Sequence, residues 1–183
     1  MARPLYPRVT QILCDLGLDP DFSGVPAGVL EAARKRGTAV HEAMEAMTYG
    51  FLDNETPEIA PYLCAARKFL SESGYVPEVA EVQVVNDTWR YRGHLDNLGM
   101  LQTRRAIVDW KTADSLEIAY ASYQLAGYFD AWNTMHPTTP AQAAVAVQLR
   151  SDGTYRVWEI DLAAAMPVWR AAVTVHYARR RSP

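Results

Sequence analysis

Two cysteines, Cys14 and Cys64, are too few and too far apart for a secreted disulfide framework or a four-ligand zinc site. A reducing, cytoplasmic setting fits that scarcity. No apolar run approaches the length that spans a bilayer, and the opening MARPLYPRVTQIL lacks the continuous apolar core of a secretory leader, so no membrane partner is expected. A basic surplus is missing too: 18 Lys and Arg against 21 Asp and Glu leave a net charge of −3. Such a chain does not coat nucleic acid with a general positive field, and any grip on a polyanion must be local. The local candidates are Arg34-Lys35-Arg36, Arg104-Arg105 and Arg179-Arg180-Arg181. Repeats, low-complexity tracts and linkers are also absent. What is present is 49% hydrophobic residues in 183, enough for one sizeable core and too little for two, so residues 1–183 read as a single domain.

Local signals give the order of elements. Pro4 and Pro7 keep the start extended, and residues 9–16 suit a short helix ending at Gly17. Pro26 suits a first helical position, and residues 27–47, rich in Ala, Glu, Lys, Arg and Met, predict a helix that Gly37 can break. After a loop over 50–55, Thr56 as cap and Pro57 at the first position predict a helix to Ser73, terminated by Gly74. Residues 77–85, 91–98 and 104–111 read as three strands, the first two joined by a turn at Asn86-Asp87. Asp114 or Ser115 is the expected cap of a helix running to Met135, before Pro137. Residues 143–149 and 155–160 form a second hairpin, and a helix over 162–178 carries Pro167, expected in its first turn or at a kink. The sum is an α/β fold: a mixed central sheet flanked by helices, with the helix over 115–135 as crossover.

The chemistry concentrates in YRGHLDNLGMLQTRRAIVDWK, residues 91–111. Asp96 and Asp109 each follow a short apolar run, and residues two apart on a strand share a face, so Asp109 and Lys111 point the same way. Carboxylates at buried strand positions are costly unless paired or bound to metal. Two of them with a cation alongside suit a hard divalent ion and a phosphate; Mg²⁺ and Mn²⁺ favour such oxygen donors. Lys111 would then stabilise the attacking oxygen or the charge developing on the phosphate. Gly37, His41 and Glu45 recur every four residues and share a helix face, where Gly37 would let another backbone approach closely and His41 could add an imidazole ligand. Gln124 and Tyr128 share a face of the crossover helix and could hold a nucleotide by hydrogen bonding and stacking. Arg34, Lys35 and Arg36, just before His41, are expected near the cleft mouth as DNA contacts.

RGTAVH (36–41), GHLD (93–96), VDWK (108–111) and QLAGY (124–128) occur in the order, and on the kinds of element, that mark the PD-(D/E)XK nuclease superfamily. Over residues 10–160 the chain resembles the RecB-type branch, in particular its compact exonuclease-like members carried by phages. That resemblance implies a restriction-endonuclease-like core and a metal-dependent deoxyribonuclease, of exonuclease type, serving recombination, replication or end processing. A catalytically inactive nucleic-acid-binding module, or a structure- or site-specific endonuclease, are the alternatives. It further implies Asp96, Asp109 and Lys111 as catalytic residues, and His41, Asp96, Asp109 and the Trp110 carbonyl as ligands of Mg²⁺ or Mn²⁺. Glu81 would be a further ligand or lie just behind the ligands, and Gln124 and Tyr128 would touch DNA and order the site. The iron–sulfur cluster of several relatives needs four cysteines and is not expected. DNA is the implied partner, beside which such exonucleases often work with a single-strand annealing protein, in the host cytoplasm if the chain is phage-encoded.

Overall fold

The computed structural model describes residues 6–51 and 55–181, with side chains through residue 180. Pro4, part of the 50–55 loop and the Arg181 side chain lie outside the described residues. Five strands form one sheet in sequence order: β1 (Tyr75–Asn86), β2 (Tyr91–Leu101), β3 (Arg104–Lys111), β4 (Ala143–Leu149) and β5 (Tyr155–Glu159). Neighbours are antiparallel except β3 and β4, which are parallel and joined by the crossover helix α4 (Ile118–Met135). The remaining helices are α1 (Val9–Asp15), α2 (Ala27–Thr48), α3 (Ala60–Ser73) and α5 (Leu162–Arg181).

Each face of the sheet has its own core. Val9, Ile12 and Leu13 of α1, Leu125 and Ala126 of α4 and Trp169 of α5 pack on one face against Leu95, Leu98, Ile107 and Ala144. On the other, Val40 and Met44 of α2 and Leu63, Ala66 and Phe69 of α3 cover Val108, Trp110, Val145 and Val147. β4 is therefore buried at every position, as a parallel strand between two helical layers requires. Ala144 and Ala146 face the α1, α4 and α5 side, and Val145 and Val147 face the other.

Several boundaries differ from the sequence reading. α2 runs unbroken through Gly37, since one glycine costs only about 1 kcal/mol and the flanking turns propagate the helix. What approaches Gly37 is the Thr112 hydroxyl, 3.7 Å from where a Cβ would stand, rather than another backbone. Pro26 is the residue before the helix, not its first. α3 begins at Ala60, after a turn over 57–59, because Ile59 is drawn into the core and Pro61 takes the first-turn place assigned to Pro57. Gly74 does end it, in the left-handed conformation at φ 70°. α4 starts at Ile118 behind Glu117 and without a side-chain cap. The Ala113 and Asp114 carbonyls instead accept from Gln148 Nε2, which holds 113–114 against β4. Pro167 sits in the second turn of α5, and the helix continues through it. No helix among the described residues is long and apolar enough to cross a membrane.

Candidate active site

β2 and β3 pair from Leu101↔Arg104 only as far as Asn97↔Val108, then separate. β3 continues on its other edge with β4 through Lys111↔Gln148. Residues 109–111 thus present an open edge toward the fork, and backbone groups on a buried edge need other partners. Two site residues supply them. Asp96 Oδ2 accepts the Trp110 N–H at 2.8 Å, and the Trp110 carbonyl lies 3.0 Å from His41 Nε2. The carbonyl expected as a metal ligand is available because the ladder has let go of it.

Asp96 and Glu81 face one another across β1 and β2, within the register set by Ala80↔Asn97 and Val82↔Leu95. Glu81 has φ 52°, the left-handed region that a non-glycine residue occupies only when its surroundings hold it there. His41 Nδ1 stands 3.5 Å from Asp96 Oδ1 and 3.7 Å from Glu81 Oε1. His41, Glu81 and Asp96 can each offer one ligand atom within 4.8 Å of the others, a donor set suited to a divalent cation. The 3.0 Å between His41 Nε2 and the Trp110 oxygen is a hydrogen-bond distance, so the imidazole is held between that carbonyl and the two carboxylates.

The sequence positions α2 over this fork through the neighbours of the site. Tyr49, two turns after His41, bonds through its hydroxyl to both the N–H and the carbonyl of Ala80, the residue before Glu81. Thr48 accepts from Asn97, the residue after Asp96, and Asn97 accepts in turn from the Tyr75 hydroxyl. The helix carrying the imidazole is thus fastened to the strands carrying the two carboxylates, one residue away from each.

The other half of the site is buried. Asp109 is 1% exposed and its Oδ2 lies 2.7 Å from Lys111 Nζ. Nζ also donates to Gln124 Oε1 at 3.0 Å, and Gln124 Nε2 donates to the Tyr128 hydroxyl at 3.0 Å. Gly93 makes room for this chain, since a Cβ there would come within 2.5 Å of the Tyr128 ring. Gln124 and Tyr128 are buried, so their geometry serves Lys111 first; Tyr128 shows an edge at the floor of a cavity beside the site.

Electrostatics follow from this crowding. Burial pulls the His41 imidazole down, but the carboxylates of Asp96, Glu81 and Asp109 outweigh it and bring it to about 9. Burial and the charge of Asp109 push Asp96 above the usual carboxylate range. Glu81 is held low by its hydrogen bond to His41 and by His94. Burial opposes charge on Lys111, yet Asp109 and Asp96 more than offset it, so the ammonium form is favoured.

The basic triplet does not act as one patch. Successive helical residues are about 100° apart. Lys35 pairs outward with Glu31. Arg36 turns inward, donating to the Thr112 carbonyl at 3.3 Å and lying 5.3 Å over the Tyr62 ring. Arg34, seven residues before His41, shares the His41 face and makes no ion pair among the described residues. His94 lay inside the GHLD motif without an assigned role. It shares the outward face of β2 with Asp96, and its Nδ1 is 3.4 Å from Glu81 Oε2. Period-two alternation could have found it; its pairing to Glu81 across β1 could not be read locally.

No protein-family model matches the chain, and no curated protein matches it. Solved structures do. A protein from Eubacterium rectale named as a presumptive exonuclease superposes with a TM-score of 0.57 at 7% identity, over 92% of this chain and 71% of that one. An alkaline exonuclease from Laribacter hongkongensis, LHK-Exo, aligns at 15% identity over 79% and 78% of the two chains, with a TM-score of 0.40. Its complex with dAMP aligns at 14% over 95% and 87%, with a TM-score of 0.42. The chain has the mixed-sheet α/β fold of the Eubacterium rectale protein.

Proposed function

We propose that this chain is a metal-dependent deoxyribonuclease of exonuclease type that hydrolyses DNA phosphodiester bonds in the fork between β2 and β3. The observation that supports it most is the convergence of four separated segments on one cleft: His41 from α2, Glu81 from β1, Asp96 from β2, and Asp109 with Lys111 from β3. His41, Asp96, Asp109 and the Trp110 carbonyl would hold Mg²⁺ or Mn²⁺, with Glu81 as a further ligand. Such an ion, when bound, polarises the phosphate and lowers the pKa of an attacking water.

The rest is the work of side chains. Asp109 and Gln124 aim the Lys111 ammonium from two directions, so it meets charge developing on the phosphate without reorganising at the moment of reaction. Tyr128 fixes Gln124 and thereby its amide orientation. Asp96 orients the Trp110 peptide, and with it the carbonyl offered to the cation. A role in recombination, replication or end processing, and a single-strand annealing partner, follow from the resemblance alone.

The test is cleavage of linear and covalently closed circular DNA with Mg²⁺, with Mn²⁺ and with EDTA, beside the Asp109→Asn variant. Metal-dependent loss of linear DNA, sparing circles and abolished in the variant, is the expected result. Cleavage of circles would make it an endonuclease. Binding without cleavage under every metal would leave an inactive binding module.

A further inference from the structure

We propose that Arg8 and Arg92, with Thr10 beside them, grip the phosphate backbone of the DNA strand on the α1 flank of the cleft. This rests on the nuclease reading and assigns a substrate wall to residues outside its motifs. The first observation is a sorting of charges. Arg67, Arg104, Arg105, Arg170 and Arg180 are neutralised by Glu55, Glu159, Glu78, Asp130 and Asp15. Arg8 and Arg92 are among the eight arginines that make no ion pair among the described residues, and they are the two that a backbone bridge joins.

The second is that the fold sets these two cations side by side across 84 positions of sequence. The segment before α1 runs parallel to the start of β2 with Arg8 bridged to Arg92, and the Arg92 N–H donates to the Pro7 carbonyl at 3.0 Å. Arg92 Nε donates to the Tyr6 carbonyl at 2.9 Å, which fixes that guanidinium and leaves its terminal nitrogens for another acceptor. Like charges held as neighbours on paired strands repel, and an anion between them removes that cost.

The third is the cavity they line. Arg8, Thr10 and Arg92 border both a cavity of about 410 Å³, floored by Tyr128 and reaching His94, and an adjoining one of about 600 Å³ that reaches Tyr120. Asp19 is the one carboxylate on either lining. Beyond His94 lies a third cavity, of about 690 Å³, lined by His41, Glu42, Glu45 and Glu81 and by no lysine or arginine. The groove is therefore cation-seeking at one end and anion-seeking at the other. Arg92, His94 and Asp96 alternate along one face of β2, with Arg92 roughly 14 Å from Asp96 at about 3.4 Å per residue. A strand held at Arg8 and Arg92 runs past His94 to the proposed metal ligands.

The experiment is a salt titration of binding to fluorescent linear DNA, without divalent metal, for wild type, Arg8→Ala/Arg92→Ala and Arg104→Ala/Arg105→Ala. The Arg8/Arg92 variant is expected to flatten the log–log slope by about 1.4–1.8, two phosphate contacts at 0.7–0.9 each, and to raise KM in the cleavage assay. The Arg104/Arg105 variant is expected to match wild type. Arg8 is exposed, so Arg8→Gln alone keeps the test available if the double variant misfolds, with a flattening of about 0.7–0.9. An unchanged slope in a folded variant overturns the proposal even if the enzyme still cleaves; a wild type that neither binds nor cleaves DNA sinks the nuclease reading instead.

Discussion

The two halves of the cleft are built in opposite ways. On the His41 side the side chains remain part-exposed, at 29% for His41, 25% for Glu81 and 13% for Asp96, and the wall behind them is a helix docked through Tyr49 and Thr48. On the Lys111 side the partners are enclosed: Asp109, Gln124 and Tyr128 are buried and joined in a relay, and the Lys111 side chain alone stays part-exposed, at 21%. An open set of oxygen and nitrogen donors can exchange water and admit an ion. A buried relay can only hold one geometry. On the proposed function the first half would capture the ion, with Asp109 reaching it from the second, and the second half would hold the Lys111 charge in place; each expectation below bears on one half more than the other.

Lys111→Ala is expected to lower turnover by about 10²–10³-fold, the usual effect of losing one preorganised donor, while Mn²⁺ affinity measured calorimetrically stays near wild type. An equal fall in metal affinity would show that the halves are not separable. Lys111→Arg should rescue poorly, because a planar fork does not fit where Asp109 and Gln124 converge on a compact ammonium.

Glu81→Gln addresses the open half. It keeps the shape and removes the charge, and metal affinity is expected to drop by about 10–100-fold with little change in melting temperature. Unaltered Mn²⁺ binding would remove Glu81 from the ligand set.

The pH dependence of metal binding follows from His41. Its pKa is raised to about 9, so at neutral pH the metal-free imidazole is protonated, whereas a ligand must be neutral. Binding therefore releases a proton, and between pH about 7, above which Asp96 is ionised, and pH about 9 affinity for Mn²⁺ should rise by about tenfold per pH unit, then level. Calorimetry in two buffers of different ionisation enthalpy counts that proton at pH 8; a count near zero contradicts the role given to His41.

Tyr128→Phe is the mildest break. It removes one hydrogen bond to Gln124, worth about 1 kcal/mol, and is expected to cut turnover about fivefold with KM unchanged. Loss confined to KM would instead mean that the Tyr128 edge at the cavity floor meets substrate directly.

What could be read from the sequence was whatever is local in it. Alternation put Asp109 and Lys111 on one face, helical spacing put His41 and Glu45 on one side of α2, and composition found every strand to within a few residues. What could not be read depends on pairings between distant segments. Glu81 stands in the candidate donor group because β1 and β2 bring it beside Asp96, with its backbone held at positive φ, neither of which alternation reports. The basic triplet looked like a patch only in one dimension; once wound into a helix, Lys35 and Arg36 diverge. Arg8 and Arg92 carried no motif, and only the bridge between the segment before α1 and β2 makes them neighbours.

The parting of β2 from β3 has one more consequence. In an uninterrupted sheet the Trp110 backbone would be flanked on both edges by other strands; here one edge is held by a carboxylate and an imidazole of the candidate site. A cation drawing on Asp96, His41 and the Trp110 oxygen would act as a cross-rung between the separated strands, and the sheet would become continuous through it. The Trp110 amide proton would then report occupancy, exchanging with solvent more slowly in metal-loaded protein than in chelated protein, so that the state of the candidate site would be written into the backbone of the fold's central strand.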